Sequence, residues 1–163
     1  MEHVNYKVAI DCDPAATDLK QVIFDHLKEK GVHITDLNYM GEGYHLYPDI
    51  GYHLAKQIKD REFDRGILLC GTGLGMAIVA NKVEGVYAGV CHDVYSAERL
   101  CKSNNAQVIT LGARVVGPEL AKKIVDAWLL SEFEGKGSLP KVNRMHELEH
   151  ESFHTEEQTC SSI

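Results

Sequence analysis

"RGILLCGTGLGMAIVANK", residues 65–82, joins a short apolar run to a glycine-rich turn and then to a stretch with helical spacing. Gly66 to Cys70 reads as a buried strand. Gly71, Gly73 and Gly75 let the backbone come close to a ligand. A helix is expected to begin near Leu74, and the unpaired N–H groups of its first turn suit an anion. The spacing is neither G-x-G-x-x-G, because position 76 is Met, nor a P-loop, because no Lys-Ser/Thr follows. Nucleotide binding is therefore a poor reading of this turn.

The same alternation extends outward in both directions. Apolar runs recur at 7–11, 32–37, 86–91 and 107–111, and amphipathic stretches lie near 17–30, 49–60, 93–103 and 118–131. Strands alternating with helices predict an α/β fold with about five parallel strands between helical layers. A flavodoxin-like doubly wound arrangement fits that count. In such a sheet ligands bind at the carboxyl ends of the strands. The residues expected there are Asp11, Cys12 and Asp13 after the first strand, Cys70 with its glycine turn after the third, and Cys91, His92 and Asp93 after the fourth. A last helix is expected near 141–151. The chain reads as one domain over residues 1–152, with a polar tail over 153–163.

Composition narrows the class. The chain has 163 residues, 44% of them apolar, which is enough for one real core. A formal net charge of −7 argues against nucleic acid as a partner. Cysteines stand at 12, 70, 91, 101 and 160, an odd number without a C-x-x-C pair, so reduced thiols in a cytoplasm are the simplest reading. No leader or membrane-spanning run is expected. "HELEH", residues 146–150, matches H-E-x-x-H literally, but it lies on the expected last helix with no glycine turn after it; a solvated helix face is the better reading.

Cys70 carries the chemical expectation. Alone it would be a small buried hydrophobe. Beside amide donors, which favour a thiolate, and beside the Thr72 hydroxyl, it becomes a candidate base facing an anion hole. That pairing suits proton abstraction α to a carbonyl, where charge develops on oxygen.

Together "CGTGLGMAIVANKV", "CHDVYSAERL", "NNAQVITLGARVVG" and "YPDIG" resemble the family of type B ribose-5-phosphate isomerase and galactose-6-phosphate isomerase, from about residue 7 to about 148. The resemblance implies a Rossmann-like three-layer α/β/α fold and cofactor-free interconversion of aldose and ketose phosphates. It also implies a homodimer or tetramer with sites shared between subunits. By the same resemblance Cys70 is the proton-transfer base and Thr72 the loop hydroxyl. The amides of Gly71, Gly73, Leu74, Gly75 and Met76 form the enediolate hole. Asp13 contacts substrate hydroxyls, Tyr47 and Asn104 line the substrate, and Arg114 binds phosphate.

Four positions depart from the family pattern. Pro14, in "DPAA", replaces a first-loop histidine. Ser103 replaces the ring-opening histidine. Gly137 and Lys141 replace two phosphate-binding arginines, with Lys136 and Arg144 nearby; Lys141 offers a point charge without the guanidinium fork. Opening a sugar ring needs a group that titrates near neutrality, which serine is not. A four-carbon phosphate cannot close the usual ring, because its terminal oxygen is esterified. The combination of "DP", residues 13–14, with "SNNAQ", residues 103–107, also resembles the tetrulose-phosphate branch of the family, with D-erythrulose 4-phosphate as the implied substrate. If a ring is opened here, His92 is the nearest alternative group. The alternatives are a ribose-5-phosphate or galactose-6-phosphate isomerase, and a non-catalytic sugar-phosphate-binding subunit.

Overall fold

The computed structural model describes residues 5–43 and 46–154. Five parallel strands form one sheet: β1 (Lys7–Cys12), β2 (His33–Asp36), β3 (Arg65–Cys70), β4 (Ala88–Val90) and β5 (Val108–Gly112). Six helices accompany them: α1 (Thr17–Glu29), α2 (Tyr47–Lys59), α3 (Leu74–Ala80), α4 (Val94–Lys102), α5 (Pro118–Leu129) and α6 (Leu139–His154). The first five fall where the apolar spacing puts them. The sixth runs past its expected end and takes in two residues assigned above to the tail. Residues 155–163 of that tail lie outside the described residues.

The layers follow from which side chains each strand sends to which face. Val8, Ile10, Ile67, Leu69, Ile109 and Leu111 meet α1, α4 and α5. Ala9, Leu68, Cys70 and Val108 meet α2 and α3. Two-sided burial explains why β3 and β5 read as unbroken apolar runs rather than as alternating ones.

The strand order is β2-β1-β3-β5-β4, so the last two strands are exchanged relative to a flavodoxin-like 2-1-3-4-5 sheet. β5 is wholly buried and takes the inner place, whereas the three residues of β4 are half-buried and form an edge. Asn81 anchors that edge. Its side chain accepts from the Ala88 amide at 2.9 Å and donates to the Ala88 carbonyl at 2.8 Å. α6 rests on the outer side of the same strand's entry, with Val142 buried and Tyr87 Oη donating to Glu149 at 2.7 Å.

Beneath the amino ends of the strands Arg65 is buried with no carboxylate partner among the described residues. Its guanidinium donates to the carbonyls of Trp128 at 2.6 Å and Ser131 at 2.7 Å, and lies over the Tyr6 ring at 4.2 Å. Carbonyl dipoles and a ring face thus solvate the cation inside the fold. No helix among the described residues is long and apolar enough to cross a membrane.

Candidate functional site

Cys70 ends the central strand β3 and is only 7% exposed. On one side the Asp13 amide donates to the Leu69 carbonyl at 3.1 Å, which brings the end of β1 alongside. On the other side Cys70 pairs in register with Gly112 of β5. The chain leaves β1 toward one edge of the sheet and leaves β3 toward the other, so the crevice opens between these strand ends.

The turn after Cys70 is shaped by backbone contacts that only glycine permits. Gly73 has φ +79°, and a Cβ there would lie 3.0 Å from the Leu111 carbonyl carbon. Its N–H donates to Cys70 Sγ at 3.0 Å, while its carbonyl accepts from the buried Thr110 hydroxyl at 2.9 Å. One donor expected in the enediolate hole is therefore turned onto the sulfur. Leu74, Gly75 and Met76 open α3, so their N–H groups have no intrahelical acceptors. The Leu74 amide makes only a long 3.4 Å contact to Thr72 Oγ1.

Three further side chains converge here. Tyr47, the first residue of α2, lays its ring across Gly75, where an added Cβ would lie 2.5 Å from the ring edge. The Arg114 guanidinium covers Gly71, and its backbone N–H donates to the Gly71 carbonyl at 3.0 Å. Asp13 Oδ1 accepts from the Ala15 amide at 2.9 Å. Burial pushes the Asp13 carboxyl above the ordinary range, outweighing the Ala15 bond and the charge of Arg114. A cavity of about 320 Å³ elsewhere lies near His33 and Phe63, at the opposite ends of the strands, and a groove of about 360 Å³ between α1 and α5 borders Pro14 and Val116 without reaching Cys70. At Cys70 a thiol, amide donors and the Arg114 guanidinium come together around one glycine turn.

Asp11 is a support that pattern reading could place but not explain. It is 1% exposed, and its carboxylate accepts from the amides of Cys12 at 2.8 Å and Tyr39 at 3.1 Å. It thereby ties the turn after β2 to the strand that presents Asp13. Burial pushes its carboxyl up, against these two bonds and the charge of Lys20. Thr110 escaped the sequence reading altogether, since a threonine inside a strand carries no signal of a bond to a neighbouring turn.

Ser103, Asn104 and Lys141 do not join this group. Ser103 caps the far end of α4, and its Oγ accepts from Arg99 Nε at 2.9 Å. Asn104 comes just before β5, whose start lies beside Gly66; the Gly66 amide donates to the Gln107 carbonyl at 2.9 Å. Gly66 and Cys70 are four residues apart on a strand, roughly 13 Å. Lys141 is exposed on α6, away from the carboxyl ends of the strands. On the same helix His146 stacks on Tyr87 at 5.3 Å, whereas His154 pairs with Glu84 at 2.9 Å. Asp93 caps α4 by accepting from the Ser96 amide at 2.7 Å, and His92 Nε2 accepts from the Gly112 amide at 3.0 Å.

Residues 8–145 match the family described as Ribose/Galactose Isomerase. A D-erythrulose-4-phosphate isomerase of Pectobacterium atrosepticum is 59% identical over 90% of this chain and 97% of its own length. A ribose-5-P isomerase B of Listeria innocua is 48% identical over 88% of this chain and 97% of its own. Among solved structures, ribose-5-phosphate isomerase B of Clostridium thermocellum superposes with a TM-score of 0.84 at 41% identity, covering 89% of this chain and 98% of that one.

Proposed function

Since this chain belongs to the ribose/galactose isomerase family, and is a sugar-phosphate isomerase, we propose that it interconverts D-erythrulose 4-phosphate and D-erythrose 4-phosphate with Cys70 as the base. The observation that carries this reading is the seat of Cys70: a sulfur receiving a 3.0 Å amide bond from Gly73, with the open amides of Leu74, Gly75 and Met76 following.

With the ketose bound, Cys70 Sγ removes a proton from C1. The C1–C2 bond gains double-bond character and negative charge passes to the C2 oxygen. The first-turn amides of α3 face that charge. The Thr72 hydroxyl relays a proton between the two oxygens, and Cys70 returns its proton to C2, leaving an aldehyde at C1. Asp13 orients the remaining hydroxyl and Tyr47 closes the wall over Gly75. Arg114 holds the phosphate from the side of Gly71.

The choice of a four-carbon substrate rests on Ser103. Its hydroxyl is engaged by Arg99, and it cannot supply the proton transfer that ring opening demands. The similarity to the Pectobacterium enzyme supports the same choice.

Ser103, Asn104 and Lys141 would reach a substrate at Cys70 only from a second copy of the chain. The exposed Tyr52, Leu74 and Ile78, beside the turn, offer an apolar face for that copy. The test is kcat/KM for D-erythrulose 4-phosphate against ribulose 5-phosphate and ribose 5-phosphate. A preference for the pentose phosphates would refute the argument from Ser103.

A further inference from the structure

His92 sits at the carboxyl end of the sheet, just past β4. That strand ends at Val90, paired with Thr110, and the Cys91 amide still donates to the Thr110 carbonyl at 3.1 Å. β5 continues two residues further, to Gly112. Backbone groups alternate along a strand, and the Val108 amide donates toward β4, to Tyr87, at 3.1 Å. The Gly112 amide therefore points to the same side, where the ladder has already stopped. His92 Nε2 accepts from it at 3.0 Å. A backbone amide can only donate, so this ring nitrogen carries no proton in the bond.

Gly112 is central to the geometry around Cys70. It pairs with Cys70 in register, and the following amide, of Ala113, donates to the Cys70 carbonyl at 2.9 Å. Its Cα lies so close to Thr72 that an added Cβ would be 2.7 Å from the Thr72 backbone.

We propose that His92 is a positioning residue, whose imidazole supplies the missing rung between β4 and β5 and, through Gly112, fixes Cys70 and Thr72 relative to each other. This rests on the reading of Cys70 as the base. It also changes the status of His92 as a ring-opening group, because the nitrogen that would act as a base is already occupied.

The test compares His92→Gln, which keeps an acceptor but cannot shuttle a proton, with His92→Leu, which fills similar space with no acceptor. Both are made in the full chain. The readouts are kcat and KM with D-erythrulose 4-phosphate, and amide hydrogen exchange over residues 70–76. A loop freed to shift by a fraction of an ångström should lower kcat of His92→Leu about tenfold, with KM little changed. Exchange over the turn should quicken in the same variant. His92→Gln should keep most of the kcat and the wild-type exchange rates. An inactive but folded His92→Gln would overturn the proposal in favour of proton chemistry at the imidazole. Unchanged exchange and kcat in His92→Leu would overturn it as well. If His92→Leu does not fold, His92→Gln alone decides between the two. The exchange comparison needs no substrate, so it stands even if the wild-type protein fails to turn over the tetrulose phosphate.

Discussion

Replacing Gly112 by alanine places a methyl group 2.7 Å from Cα and the carbonyl carbon of Thr72. Comfortable carbon–carbon contact is about 3.5–4.0 Å, so the turn and the end of β5 must separate by roughly 1 Å. Both partners are backbone, and neither can rotate out of the way. Overpacking of this kind costs about 1–3 kcal/mol. For a chain of this length that lowers the melting temperature by roughly 3–10 °C. The effect on turnover should be larger, because Thr72 sits two residues after Cys70 on the displaced segment. A displacement of about 1 Å in a positioned group costs about 100-fold in rate. Gly117→Ala is the control: its φ is an ordinary −78°, and nothing lies within 4 Å of the added carbon. That variant should melt only a few degrees lower, because alanine caps α5 less well than glycine, and turn over within about twofold of wild type. Thermal unfolding and initial rates on D-erythrulose 4-phosphate read both effects. Wild-type turnover by Gly112→Ala would refute the claim that close approach at Thr72 sets the geometry of the base.

Cys70→Ala should fold normally and lose about 100-fold or more in kcat, the scale of a missing general base; near-normal turnover would remove Cys70 from that role. Activity should survive prolonged dialysis against a chelator; loss with recovery on adding zinc would reopen "HELEH" as a metal site. Mixing inactive Cys70→Ala protein with inactive Lys141→Ala protein should restore part of the activity if a site draws on two copies, and a fully active monomer in sedimentation would exclude that. Burial pushes the Cys12 thiol up to about 11 and Cys91 up to about 12, whereas in the unfolded chain both ionise near 9. As pH rises from 9 toward 11 the unfolded chain has lost protons that the folded chain keeps, so stability falls across that window. Melting curves should show this slope, and Cys91→Ala should flatten it.

The positions of the strands and of the first five helices were legible because each depends on local periodicity, and the runs around Ile10, Ile67 and Ile109 are bounded by turn residues. The thiol at the mouth of a glycine turn was legible too, since residue type and spacing are contiguous there. Which of two short apolar runs lies inside the sheet was not. "VYAGVC" and "QVITL" look alike in isolation, and burial from both sides, a property of the assembled layers, put the second one next to β3. Ser103 and Asn104 were assigned to the substrate site through resemblance alone; the reversal of direction along α4 carries them, within one copy of the chain, to the other end of the strands. Asp11, Thr110 and His92 show the same limit. Asp11 and His92 could be placed at strand ends and Thr110 gave no signal, but none revealed its partner: each bonds a backbone group whose need for one exists only where another element has stopped or turned. Local spacing was enough to determine the elements and the chemistry offered at their ends. Tertiary structure decided the order of the strands and the partners of the buried polar groups, because those depend on contacts between residues far apart in the chain.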